Sequence, residues 1–373
     1  MLRDFEKQPV RVAIIGAGAV SDYHHVPGIR LDRRAQLAAI CDADPKLLAQ
    51  RQGEWNCAKT TTDPLQVCAD PEVDAVIIAT PNFTHLPIAV AAAEHGKHIM
   101  CEKPLGLNAG EVRAMYHAAR DHDVVHMTAF TYRFAPSMRY LRHLLTTGQL
   151  GEPRHFRSQR FLDWPETSWG WRQYQEKAGA GDLFDMTIHR LDFALDLLGP
   201  LDTICGAVAR FAARTKTVDG QTCAPSDVDD WSSLIGEFQS RATGVWEGTT
   251  LAKGYARNGF GHEWAEINGS EGSAVYQLHE PNTILVGKTG QDLGPVEVPA
   301  EFLKPAGSPR NPSEGKAATV FRYDLMWEFI SAIVARRQAV PSFYDGLRAQ
   351  IVADAVLQSH AERRWIKIPP EPR

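Results

Sequence analysis

Three groupings in this 373-residue chain have residue types and spacings suited to chemistry. Lys103, in Cys101-Glu102-Lys103-Pro104, follows the apolar run His98-Ile99-Met100-Cys101, which reads as a strand. In open α/β sheets the carboxyl ends of the strands are where ligands bind. A lysine there stabilises developing negative charge as an ammonium, or accepts a proton when neutral. The second grouping is Asp185 and His189. Four residues apart in a helix, they share one face, where a carboxylate favours the protonated imidazole and orients the ring. The third is Gly16-Ala17-Gly18-Ala19-Val20-Ser21, directly after the apolar Val12-Ala13-Ile14-Ile15. Gly16 permits a tight turn, Gly18 lets backbone approach a pyrophosphate at a helix start, and Ser21 takes the place of a third small residue.

The elements around these groupings must position them. Ala35–Cys41 reads as a second strand ending at Asp42, an acid at the right distance beyond the glycines to bind the adenosine ribose hydroxyls. The same carboxylate could instead cap a helix over 45–54, a role that Asp44 can also fill. No arginine follows Asp42 closely, which favours NAD over NADP. Pro27 predicts a short or kinked helix after the glycine turn. Val73–Ala79 is a further strand, ending in Thr80-Pro81, and a helix over 84–95 stops at Gly96. Asn108 and Glu111 resemble a capping box, and 124–130 reads as one more strand. This alternation predicts a parallel, doubly wound sheet, with Thr80-Pro81 and Glu102-Lys103-Pro104 on the same edge as the glycine turn.

Past Thr131 the pattern changes. Pro136 opens a helix closed by Gly148. The stretch from Phe161 to Tyr174 gathers Trp164, Trp169 and Trp171 with Arg172, a set suited to the apolar faces and hydroxyl rims of sugars, or to plugging a hydrophobic surface. Apolar residues at 183, 184, 188, 191, 195 and 198 predict the helix that carries Asp185 and His189, stopped by Gly199-Pro200. Alternation over 242–249 and 273–278 predicts antiparallel strands, and helices are expected over 320–337 and 344–362. The Pro-, Gly- and Ser-rich segment Lys304–Gly315 reads as an exposed loop. Val245 and Trp246 alternate, so apolar side chains point to both faces of their sheet. A dimer or tetramer formed sheet to sheet is expected.

Composition excludes several classes. A net charge of -5 with no long basic block argues against nucleic acid or an acidic membrane surface as partner. The charged amino end, Met1 to Lys7, has no signal-peptide core, and no apolar run spans a bilayer. Six scattered cysteines show no C-x-x-C spacing, so neither disulfides nor a metal site is suggested and a reducing, cytoplasmic setting is expected.

Taken together with Tyr132-Arg133-Phe134-x-Pro136, Ile267-Asn268-Gly269-Ser270-Glu271-Gly272-Ser273 and Pro341-Ser342-Phe343-Tyr344-Asp345-Gly346, these motifs resemble the glucose–fructose oxidoreductase/inositol dehydrogenase family (Gfo/Idh/MocA), over about 11–368. The resemblance implies a Rossmann domain (1–130) followed by an α/β domain with a large, mostly antiparallel sheet (131–373), and NAD(P)-dependent oxidation of sugars, inositols or related polyols in carbohydrate metabolism. It implies Lys103 and His189 as the catalytic pair, with Asp185 holding substrate or His189. Cofactor contacts are implied for Gly16, Gly18, Ala19, Val20, Asp42, Thr80, Pro81, His85 and Glu102. Substrate contacts are expected for Lys103, Arg133, Asp185 and His189, and, from the residue types of the aromatic stretch, for Trp171 and Arg172. A cis bond before Pro104 is implied too, and if the domains meet as in the family the trio converges over the nicotinamide. Ser21 and Ala180 depart from the usual glycines. Two other readings stay open: cleavage of glycosidic bonds with transient use of NAD, and a cofactor-sensing regulator without turnover.

Overall fold

The computed structural model describes residues 4, 5, 7–256 and 261–371. Of the charged amino end, Met1, Leu2, Arg3 and Glu6 lie outside the described residues. The chain forms two compact units. The first comprises Met1–Thr131, Ala306–Asn311 and Val320–Leu347, the second Tyr132–Pro305, Pro312–Thr319 and Arg348–Arg373.

In the first unit the strands are β1 (Val10–Ile15), β2 (Ala35–Cys41), β3 (Thr60–Thr61), β4 (Ala75–Ile78), β5 (His98–Cys101) and β6 (His126–Thr128). They make one parallel sheet in the order β3-β2-β1-β4-β5-β6. β4 and all of β1 but Arg11 are buried, which is why Val12–Ile15 and Ala75–Ile78 are continuous apolar runs without alternation. The order reverses between β1 and β4, and such a switch point is where an open α/β sheet binds dinucleotides.

A single break near residue 130 does not describe the chain, because Val320–Leu347 completes this first unit. The physical reasons are local. Gly28 lets the 324–334 helix come close, with Met326 lying where a side chain at Gly28 would begin. Arg34 donates to Ser331 at 2.9 Å. At the edge of β6, Thr128 N donates to Pro341 O at 3.0 Å and its hydroxyl to Ser342 O at 2.8 Å. The expected exposed loop over Lys304–Gly315 is present, without helix or strand and exposed along most of its length, but two residues anchor it. Ser308 and Arg310 are buried, and both bond to the carboxylate of buried Asp324, at 2.6 and 2.9 Å.

The second unit is built on nine strands: β7 (Pro153–Phe161), β8 (Leu201–Ala209), β9 (Trp231–Phe238), β10 (Thr243–Thr249), β11 (His262–Gly269), β12 (Gly272–Gln277), β13 (Thr283–Lys288), β14 (Gly294–Glu297) and β15 (Ile366–Lys367). Their order is β14-β13-β12-β11-β7-β10-β9-β8-β15, antiparallel throughout except for the parallel pair β7 and β10. One face is packed: Trp246 is fully buried and donates its indole N–H to Arg190 O at 3.2 Å, from the helix that carries His189. The other face is open. Ile235 and Val245 are direct cross-strand partners and are 45% and 37% exposed. Arg157 pairs with Val245 on the next strand and stacks its guanidinium 4.9 Å from the Trp264 ring.

Among the described residues no helix is long and apolar enough to cross a membrane, and no three His, Cys, Asp or Glu side chains gather as a metal site.

Candidate active site

The first unit assembles its groupings at the carboxyl edge of the parallel sheet. Gly16 sits at φ +102°, and a Cβ there would meet the backbone of Ala79 and Thr80, so the turn after β1 requires glycine. Gly18 faces open space, with nothing within 4 Å of an added Cβ, as a turn that admits a pyrophosphate needs. Ser21 earns its place by bonding: its hydroxyl donates to Gly16 O at 2.6 Å and closes the turn. The helix that follows is short, as Pro27 predicts. Ser21–His25 is a π-helical turn, followed by a one-and-a-half-turn α-helix over Val26–Leu31.

Asp44, not Asp42, caps the Pro45–Trp55 helix. Asp42 instead accepts from Ala17 N at 2.7 Å and Asp44 N at 2.9 Å, standing at the end of β2 beside the glycine turn. An arginine does reach this turn: Arg51 donates to Ala17 O at 3.3 Å. Its charge is taken up by Asp22 at 3.1 Å and by Glu54, and its guanidinium lies over Trp55. It is therefore not a free fork for a 2′-phosphate.

Lys103 follows β5, with a cis bond to Pro104. The carboxylate before it, Glu102, is bonded at 2.9 Å to Nε2 of buried His25. Burial acts to raise Glu102, but the His25 bond and the charges of His25 and Lys103 outweigh it and hold the carboxyl below its ordinary value. Thr80 and Pro81 follow β4, tied by the Thr84 hydroxyl at 2.7 Å to each. His85, expected among the cofactor ligands, is fully buried, with Nε2 at 2.9 Å from Thr80 O and Nδ1 at 3.1 Å from Pro104 O. Both partners are acceptors, so a neutral ring serves one of them at a time. Burial lowers the ring's pKa towards that neutral form.

In the second unit the expected helix over 183–198 is present but begins with a π-helical turn, Leu183–Thr187, before the α-helix Ile188–Leu198. Asp185 lies in the π turn and is half-buried. His189 is the second α-helical residue and is 7% exposed. Single π turns recur at functional sites. Asp229 fixes the start of this segment, accepting from Gly181 N at 2.8 Å and Leu183 N at 2.9 Å.

Tyr132, which sequence reasoning passed over, sets its ring edge-on to the His189 imidazole, with centroids 4.6 Å apart. Its neighbour Arg133, expected to bind substrate, engages all three of its nitrogens with carboxylates. Asp192 takes two bonds at 2.8 and 2.6 Å and Asp196 one at 3.0 Å. Both acids lie on the helix of His189, so Arg133 clamps Tyr132 to that helix. Trp171 and Arg172 stack on each other at 4.4 Å in the aromatic loop, and Trp169 is covered by the Arg214 guanidinium at 3.8 Å.

Beneath the helix lies a buried charge cluster that no sequence motif announced. Glu263 meets Arg160 at 2.9 Å and Arg190 at 3.4 Å, and all three are buried. Asp182, also fully buried, accepts from Thr187 and Ser232 and is pushed up by burial to about 7.

Comparison with known proteins bears on these features. A model described as an oxidoreductase family with an NAD-binding Rossmann fold matches residues 10–130, and a GFO/IDH/MocA C-terminal domain model matches 138–275. Levoglucosan dehydrogenase of Pseudarthrobacter phenanthrenivorans is 30% identical over 97% of this chain and 99% of its own length. Inositol 2-dehydrogenase of Rhizobium meliloti is 29% identical over 96% and 99%. Among solved structures, a levoglucosan dehydrogenase in complex with NADH and levoglucosan has a TM-score of 0.88 at 28% identity, covering 97% of this chain and 100% of the other.

Proposed function

We propose that this chain, which belongs to the GFO/IDH/MocA oxidoreductase family, is an NAD-dependent dehydrogenase acting on a ring hydroxyl carbon of a sugar or cyclic polyol. One observation carries the reading: the glycine turn after β1, Thr80-Pro81 after β4 and Glu102-Lys103-Pro104 after β5 share the carboxyl edge of one parallel sheet. The residues present fit a dinucleotide, since Gly18 leaves open the cradle that a side chain would fill and Asp42 stands at the end of β2. Bound there, NAD supplies the hydride acceptor or donor.

The chain's own residues do the rest. Asp42 accepts hydrogen bonds from the ribose hydroxyls. In the oxidative direction His189 accepts the hydroxyl proton, and Lys103 as an ammonium stabilises the developing alkoxide. Asp185 binds a substrate hydroxyl or orients the imidazole, and Trp171 and Arg172 face the sugar. Arg133 acts through Tyr132 and the His189 helix instead of touching substrate.

The test is a panel of sugars, inositols and glycosides, levoglucosan included, with NAD and NADP, following absorbance of the reduced cofactor. Lys103→Ala and His189→Ala should each lose about 10²–10⁴-fold in kcat, and near-normal turnover in either refutes the assignment. Product formed without net reduced cofactor would instead support glycoside cleavage.

The open face of the nine-stranded sheet supports assembly as a dimer or tetramer through that face, in which a second copy covers Ile235 and Val245. Val245→Asp should lower the mass seen by light scattering at micromolar concentration. A monomeric wild type refutes the assembly.

A further inference from the structure

His25 has no part in the roles above, yet it is 2% exposed and makes a bond that reaches the reacting edge. It closes the π-helical turn Ser21–His25, whose first residue ties down the glycine turn through Gly16 O. Its Nε2 holds Glu102 at 2.9 Å, and Glu102 is covalently next to Lys103. On the far side of the lysine, Pro104 O is held by His85. The lysine thus stands between two gripped residues. One grip comes from the element that cradles the cofactor phosphates, the other from the helix after Thr80-Pro81.

We propose that His25 is a positioning residue for Lys103: through Glu102 it fixes the direction of the lysine side chain and couples that direction to the dinucleotide turn. The inference rests on the reading of Lys103 as the charge-bearing group. A charged, nearly buried carboxylate without its donor must find another partner, and the charge of Lys103 already acts on Glu102 from the next residue. The bond from His25 therefore keeps Glu102 from drawing Lys103 away from the substrate. The cost of releasing it follows from geometry, since misplacing a reacting group by about 1 Å costs on the order of 10²-fold in rate.

Two variants separate positioning from general support. His25→Leu removes the donor, whereas His25→Gln keeps an N–H to offer to Glu102. His25→Leu should lower kcat on the best substrate of the panel by roughly 10–100-fold, with NAD affinity by calorimetry changed less than about threefold. His25→Gln should recover most of that loss. A readout without turnover accompanies it: reductive dimethylation of the Lys103 amine, followed by mass spectrometry against exposed Lys253, should become slower in His25→Leu, because Glu102 then holds the ammonium, and return towards wild type in His25→Gln. Glu102→Gln still accepts the bond from His25 but carries no charge to capture Lys103, so combining it with His25→Leu should restore much of the lost Lys103 reactivity.

Normal kcat and normal Lys103 reactivity in His25→Leu overturn the inference. So does a Gln variant no better than Leu, or a fall in kcat that only parallels a fall in Tm and NAD affinity. Lys103→Ala, run beside them, separates the two levels. If it keeps turnover, the role of Lys103 itself fails. If it is inactive while His25→Leu is normal, the positioning alone fails.

Discussion

Glu263→Gln removes one negative charge from a place that water does not reach. The Glu263 and Arg190 side chains are 0% exposed and Arg160 is 6% exposed, so neither arginine can turn to solvent without moving the sheet above it. One carboxylate oxygen, Oε2, serves both guanidinium groups, at 2.9 and 3.4 Å. Deleting one partner of a buried pair costs about 3–5 kcal/mol, most of it the penalty of the charge left behind. Two cations share the loss here, so we expect the upper part of that range. Glutamine keeps the shape and can still accept a bond, which isolates the charge from the packing. The assay is urea unfolding at about pH 8 with linear extrapolation and a check on m. Seven of the chain's nine tryptophans (164, 169, 171, 231, 246, 264 and 365) lie in the second unit, so intrinsic fluorescence reports chiefly on the unit that holds the cluster. Replacing the cluster as a whole, with Arg160→Met, Glu263→Leu and Arg190→Met together, should recover much of the loss, because the penalty belongs to the unpaired charges. A loss below about 1 kcal/mol for Glu263→Gln, or a triple variant no better than the single, refutes the argument.

Two other outcomes follow from the same geometry. Asp42→Ser with Ala43→Arg should shift cofactor preference towards NADP, because the carboxylate that repels a 2′-phosphate is gone and Arg51 stays occupied by Asp22 and Glu54; wild-type kcat/KM equal or better with NADP would contradict the role given to Asp42. Burial holds Asp182 up at about 7, so the folded chain keeps a proton that the unfolded chain releases above roughly pH 4. That contribution to stability is full in acid and is lost as pH rises through about 7. Asp182→Asn should therefore show a smaller fall in unfolding free energy between about pH 5 and pH 8 than wild type, and equal slopes exclude the assignment.

Much of the first unit is legible in the chain because its central strands, and the carboxyl ends of their neighbours, are buried. Ala35–Cys41 and His98–Cys101 stand out as apolar runs with turn residues after them, and both occur with the expected bounds. The glycine turn and the Glu102-Lys103-Pro104 segment are legible for the same reason, since each follows such a run. β7 is not: its inward residues include Ser158 and Arg160, so the apolar alternation that marks a half-buried strand is absent. The π-helical turns at Ser21 and Leu183 leave no pattern either, as a shift from i→i+4 to i→i+5 bonding asks for no particular residue type. Arg133 shows a further limit. The motif around it is local, but the acids that occupy its guanidinium lie 59 and 63 residues onward, and only the fold brings them there. The same holds for His25 and Glu102, 77 residues apart.

The return of Val320–Leu347 to the first unit has a consequence for how the chain is made. A ribosome releases the glycine turn and all six strands of the first sheet before it begins the second unit, yet the residues that cover Gly28 and border β6 emerge only after most of the second unit. Leu347 follows Thr131 by 216 residues, which at about 5–20 residues per second takes roughly 10–40 s. For that interval the nascent first unit carries an uncovered helix and an unguarded sheet edge, the surfaces that chaperones bind and that aggregate when crowded. Expressing residues 1–131 alone makes that interval permanent. A stable cofactor-binding fragment therefore has to carry the 320–347 segment with it, either by a linker that bypasses the second unit or by circular permutation.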